Sequence, residues 1–205
     1  MTVRLILPCL ALAIAFQSGC VSLSRKIPER MYYTISVEAP SLRAPESAPV
    51  LVVYPISAEA PYSHPEFVYR TGPDQWKTDF YHRFLTPPDK MISTAVEDWM
   101  AGSGLFSHVV GPGLLVESPF ALDGSLEAIY GDYAVDPPEA VLRMRLVFTY
   151  RDPQKGQTVL SDRTYAAGQP LRDRTRAALV EGWTQAAEKL LAEAAADLRS
   201  SLPNE

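Results

Sequence analysis

Cys20 is the residue with the most specific chemistry in this sequence. It follows Gln17, Ser18 and Gly19, which stand directly after an almost unbroken apolar run from Leu5 to Phe16. Small residues ahead of a cysteine let a lipoprotein signal peptidase fit the chain, and the thiol receives diacylglycerol. Cys20 is therefore the expected lipidation site and the Gly19–Cys20 bond the expected point of cleavage. Gln17 stands where such motifs usually carry Leu or another apolar residue. Met1 to Arg4, with one positive charge, supplies the short basic start of a secretory signal. The apolar run covers about a dozen residues where a spanning helix needs roughly 20, and Pro8 weakens it further as a helix. Residues 1–19 are thus expected to be removed as a signal peptide.

The other residue types that do chemistry are scattered. His64, His82 and His108 have no cysteine or paired carboxylate at metal-ligand spacing. No serine sits in a nucleophile elbow, and no loop has the pattern that cradles phosphate. Gly111, Pro112 and Gly113 read as a turn. Asp132, Asp136 and Glu139 lack the spacing of a calcium loop, and beside Pro137 and Pro138 they read as solvated loop acids. The sequence thus points to no catalytic residue, metal or cofactor.

Interaction chemistry is concentrated in one stretch, Phe67, Tyr69, Arg70, Trp76, Phe80, Tyr81, His82 and Arg83. Tyr, Trp and Arg are the usual anchors of protein interfaces, and Tyr69, Arg70, Trp76, Tyr81 and Arg83 are the candidates for contact with a partner. Arg70 and Trp76 flank Thr71, Gly72, Pro73 and Asp74, which reads as an exposed turn. The competing reading is that these aromatics pack a sheet against a helix.

The elements that must carry these side chains are strands and two helices. Tyr32 to Val37 is rich in aromatic and β-branched residues. Val50 to Ile56 is apolar on both alternating sets except for Pro55, which suits a central strand covered on both faces. Phe120, Leu122, Leu126, Ala128 and Tyr130 alternate with polar residues, as in a strand with one wet face. Leu142, Met144, Leu146, Phe148 and Tyr150 keep a cleaner period of two. Asp152 to Gly156 turns the chain into a return strand over Thr158 to Ala166. One helix is expected from Thr86 as cap and Pro87 as first residue, with Ile92, Ala95, Val96 and Trp99 on one face, until Gly102 and Gly104 stop it. The other is expected over Asp173 to Leu198, with Leu179, Val180, Trp183, Ala187, Leu190, Leu191, Ala194 and Leu198 on one face and charges on the other. The fold class is α+β: a mixed, largely antiparallel sheet packed with two main amphipathic helices in one compact domain over residues 31–202, preceded by a tether over residues 20–30.

The chain has 205 residues, a formal net charge of −5 and two cysteines. Cys9 leaves with the signal, so the exported domain must stand on its hydrophobic core without a disulfide. An acidic chain gives no basic surface for nucleic acid. Lipoproteins held at the inner membrane commonly carry Asp directly after the modified cysteine. Val21 occupies that place, so the periplasmic face of the outer membrane is the expected address.

From Val50 to Tyr62 the sequence reads VLVVYPISAEAPY, and from Phe67 to Val110 it reads FVYRTGPDQWKTDFYHRFLTPPDKMISTAVEDWMAGSGLFSHVV. With a tyrosine-containing strand near Tyr32 before them, these segments resemble the ABC-type transport auxiliary lipoprotein family. Val68, Tyr69 and Arg70 match a strand of that family. Tyr81 to Pro88 match its aromatic lead into a proline-started helix, and Ser103 to Phe106 match its helix exit. The later strands and closing helix follow in the same order, so the resemblance covers nearly the whole exported domain. It implies a non-catalytic lipoprotein that serves an MCE-type ABC transport system moving phospholipid or other hydrophobic molecules between the membranes. Its partner would be a periplasmic MCE-domain protein. A structural envelope lipoprotein bound to another assembly, and self-association, remain open at this point.

Overall fold

The computed structural model describes residues 29–113 and 118–202. The expected signal peptide, the lipidation site Cys20 and most of the tether lie outside the described residues. The strands are β1 (Met31–Tyr33), β2 (Val50–Val53), β3 (Ser57–Ala58), β4 (Glu66–Gly72), β5 (Gln75–Phe84), β6 (His108–Val110), β7 (Phe120–Asp132), β8 (Glu139–Asp152) and β9 (Gly156–Pro170). The helices are α1 (Pro88–Gly102) and α2 (Arg176–Ser201). They form one mixed nine-stranded sheet whose core face both helices cover, a single α+β domain.

The long hairpins follow from the period-two pattern. β7, β8 and β9 pair antiparallel in sequence order, and Ala140, Leu142, Met144, Leu146 and Phe148 of β8 all point into the core. Gly156 makes the β8–β9 turn possible because its φ of +84° is a left-handed conformation that side chains with a Cβ rarely adopt. The second edge of β7 is filled end to end by three short parallel partners: β2 beside its start, β3 beside its middle and β4 beside its end.

Three departures from the sequence reading have local causes. Val50 to Ile56 is not one strand covered on both faces. Leu51, Val53 and Ile56 are buried, but Tyr54 and Pro55 face solvent and divide β2 from β3. The Ile56 N–H released at this break donates to Ser93 Oγ at 2.8 Å, so α1 satisfies a buried donor that the sheet cannot. In β7 the register slips between Leu126 and Ala128, leaving Glu127 as a bulge. The phase changes there: Ile129 enters the core and Tyr130 turns away from it, contrary to the simple alternation.

The third departure is at the helix starts. Thr86 does not cap α1: Pro87 is the N-cap and Pro88 the first helical residue, where a missing N–H costs nothing, with Asp89 near the positive end. In α2, Asp173 is spent on a turn, accepting from the Thr175 N–H at 2.8 Å. Thr175 is the actual cap, its hydroxyl accepting from the Ala178 N–H at 3.2 Å.

α2 lies along β8 and β9 and buries Leu179, Trp183, Ala187, Leu190, Leu191, Ala194 and Leu198. The α1 side chains Ile92, Val96 and Met100 complete the layer. Gly102 permits the final approach at the end of α1, because a Cβ there would lie 1.7 Å from the Pro40 carbonyl oxygen. That contact fixes the proline-rich connection to α1, and the Leu42 N–H donates to the Gly102 carbonyl at 2.9 Å. Among the described residues no helix is long and apolar enough to cross a membrane.

Candidate interaction surface

The β4–β5 hairpin carries the interaction candidates, and the pleat distributes them over different environments. Only Pro73 and Asp74 form its turn, since Thr71 and Gly72 belong to β4. Phe67 is fully buried on the core face, 4.9 Å from the Trp183 ring and 4.6 Å from the Phe84 ring. Tyr69, two residues on, is also buried. It is a core residue and not part of an exposed interface.

Tyr69 belongs to a polar cluster around Asp79. Its hydroxyl donates to Asp79 Oδ2 at 2.8 Å, and His82 Nδ1 lies 2.9 Å from the same oxygen. The Tyr81 and His82 N–H groups donate to Asp79 Oδ1 at 3.0 and 3.1 Å. Arg176, at the start of α2, reaches Asp79 Oδ2 at 3.4 Å and lies 5.0 Å from the centre of the Tyr69 ring. Partial burial works against ionisation of Asp79. The hydrogen bonds from Tyr69, Tyr81 and His82 outweigh it and hold the carboxyl at about 2.

The cluster ties down an irregularity in β5. Glu66 pairs with Arg83 while the next residue, Phe67, pairs with Asp79. Phe80, Tyr81 and His82 therefore form a bulge, with Phe80 and Tyr81 exposed at its tip and their rings perpendicular at 5.3 Å. Arg83 bonds Glu66 at 2.9 Å beyond it.

Because the Asp79 carboxyl sits below its unfolded value, it contributes stability above the ordinary aspartate range. That contribution is lost as pH falls toward about 2. Asp79→Ala is expected to cost about 1–3 kcal/mol at neutral pH by orphaning its donors. Urea melts should show the gap between parent and variant shrinking from pH 4 to pH 2. A gap independent of pH would mean that the charge is not what holds the bulge.

Arg70 and Trp76 are opposite each other on the face of the sheet away from the helices. Arg70 is not a loose loop residue. It makes a paired contact with the carboxylate of Asp132, Nε donating to Oδ1 at 3.0 Å and the second nitrogen to Oδ2. Asp132 is only 3% exposed and also accepts from the Ala134 N–H at 3.0 Å, so it is not a solvated acid. Truncating Arg70 would strand a buried carboxylate, which makes that change destabilising and unsuitable as a clean probe of binding.

Trp76 is 47% exposed and lies edge-on to Tyr130 at 5.0 Å, and Tyr130 stacks with Tyr62 at 6.4 Å. These rings, with Arg70, Arg143 and Val135, line a shallow depression of about 530 Å³ on the open sheet face. Arg143 is paired with Glu127, the bulge residue of β7, at 2.9 Å. The site can offer flat aromatic surface and oriented guanidinium groups on a rigid support. Of the five candidates the structure brings together Arg70 and Trp76, buries Tyr69, and sets Tyr81 and Arg83 at the other end of β5.

Sequence reasoning missed Asp79, Tyr62 and Tyr130, and read Asp132 as a solvated loop acid. One signal was present for the first: Phe80, Tyr81 and His82 break the alternation between Asp79 and Arg83. His64 lies in a loop, His82 beside Asp79 and His108 in β6. Among the described residues no three His, Cys, Asp or Glu side chains gather where they could hold a metal ion.

No family model and no curated protein matches the chain. The fold is similar to that of protein XCC0632 from Xanthomonas campestris, a DUF330 protein, with a TM-score of 0.72 and 20% identity over 83% of this chain and 95% of that one. An uncharacterized protein follows with a TM-score of 0.65 and 14% identity over 83% of this chain and 99% of that one. The hypothetical protein CT253 from Chlamydia trachomatis has a TM-score of 0.52 and 11% identity over 76% of this chain and 98% of that one. At these identities the likeness is one of fold.

Proposed function

We propose that this chain is a non-catalytic lipoprotein, anchored through Cys20 at the periplasmic face of the outer membrane. It serves there as the auxiliary component of an MCE-type ABC transport system for phospholipid or other hydrophobic molecules. The order of segments from Tyr32 through Ser103–Phe106 supports the reading. So does a fold shared with a DUF330 protein over nearly all of that protein's length. The observation that carries the docking role is the open sheet face around Trp76. Three aromatic rings and two ion-paired arginines are presented there, all on strands except Tyr62, which comes from the turn between β3 and β4. Rigid aromatic anchors bind without a large ordering cost, and a buried Trp at the centre of an interface is worth about 2 kcal/mol or more on truncation.

The test is a photo-crosslinking amino acid placed at Trp76 in the full chain in living cells, with the same residue at Val159 as control. Capture of a periplasmic MCE-domain protein from position 76 and not from 159 is the expected result. Capture of another envelope assembly from position 76 would replace this reading with that of a structural lipoprotein.

A further inference from the structure

We infer that the Phe80–Tyr81 bulge, together with Met31 beside it, is the face that the domain lays against the lipid surface. The inference rests on the reading of Cys20 as the anchor. Phe80 is 60% exposed, Met31 51% and Tyr32 53%, an unusual concentration of bare apolar area at one sheet edge. Among the described residues β1 pairs only with β5, and Met31 is in register with His82, the last residue of the bulge. The bulge is also built to protrude. Asp79 accepts both N–H groups that the irregular backbone frees from the ladder, so the two rings are held outward without support from the core. Rings with one apolar body and one polar tip, as in Tyr81 and Tyr32, suit the boundary between headgroups and acyl chains.

The path of the chain points to the same occupant. Arg30, the residue through which the tether enters the domain, has its guanidinium 4.4 Å from the centre of the Phe80 ring. Arg30 is ten steps along the chain from Cys20, a reach of at most about 35 Å. A domain of this size is about 40 Å across. Even at full stretch the tether is shorter than the domain is wide, so the edge that carries Phe80 cannot be the part of the domain farthest from the bilayer. Arg25, Lys26 and Arg30 against Glu29 make the tether positive in a chain whose net charge is −5, so the end nearest the anchor is the one drawn to anionic headgroups.

The experiment uses the full lipoprotein, with the Cys20 thiol closed by its lipid and a new thiol at Phe80→Cys or at Val159→Cys. Val159 is equally exposed but lies on β9, at the opposite edge of the sheet from β1. Each thiol carries an environment-sensitive nitrobenzoxadiazole dye. The protein is reconstituted into vesicles of phosphatidylethanolamine and phosphatidylglycerol with brominated acyl chains. Intact mass reports the lipid on Cys20, and a thermal melt confirms that Phe80→Cys folds like the parent. A blue shift and strong quenching at position 80, with neither at 159, is the expected result.

Equal, unquenched emission at both positions with lipid present on Cys20 would overturn the inference and leave the anchor standing. Absence of lipid on Cys20 would remove the anchor and the inference with it. A shift at position 80 that grows with protein concentration and ignores the vesicles would assign this edge to a second copy, and that too would overturn it.

Discussion

Trp183→Ala is expected to remove about 3–5 kcal/mol of stability, a large part of the 5–15 kcal/mol that holds a domain of this kind together. Trp183 is completely buried in the third turn of α2, and three separate contacts are lost with it. Its ring meets Phe67 edge-on at 4.9 Å and Phe84 at 5.2 Å, which joins the helix to the β4–β5 hairpin. Its indole N–H donates to the Tyr130 carbonyl at 3.2 Å, just past the bulge in β7 where the ladder is irregular. Alanine would leave a cavity and an orphaned acceptor together. Trp183→Phe should fall between, keeping most of the packing and losing the hydrogen bond, at about 1–2 kcal/mol. Trp76→Ala, on the open face, should stay within about 0.5 kcal/mol. Denaturant titrations of the three variants order these effects. Equal midpoints for the changes at 183 and 76 would refute this account of the core.

Cys20→Ala is expected to abolish lipid attachment entirely and to leave the protein unprocessed or displaced from its membrane. The apolar run of about a dozen residues is too short to span a bilayer once the chain has been exported, so the proposed anchoring rests on the covalent lipid. Each buried CH₂ contributes about 0.8 kcal/mol, and two acyl chains together hold a protein where one alone is marginal. Metabolic labelling with a radioactive fatty acid gives the readout. Cys9→Ala, which alters the segment expected to be cleaved away, should keep full label, whereas Cys20→Ala should carry none. Equal label in both variants would dispose of the lipoprotein reading.

The two helices and the β7–β8–β9 meander were legible along the chain because their signals are local and repeated. Leu142, Met144, Leu146 and Phe148 declare a half-buried strand by spacing alone, and all four are in the core. The α2 face was legible for the same reason, while its start was misplaced by three residues. Asp173 and Thr175 are both good caps, and only the hydrogen bond to the Ala178 N–H separates them. The interaction surface was legible as a composition and not as a geometry. Tyr69 and Arg70 are neighbours in sequence with the same interface propensity, yet the pleat sends one to the Asp79 cluster and the other to Asp132.

The sequence by itself determined the α+β class: strands of period two and an amphipathic closing helix in one domain. Each of these is a property of residues within a few positions of one another. Tertiary structure decided the rest, because burial of a charge and the facing of a ring depend on partners far along the chain. Asp132 is buried with a paired partner because Arg70, 62 residues away, is brought beside it. Tyr130 faces outward only because the pairing of β7 with β8 slips at Glu127. Phe80 and Tyr81 protrude only because Asp79 holds their backbone, while Tyr69 and Arg176 hold Asp79 from another strand and a helix 97 residues on.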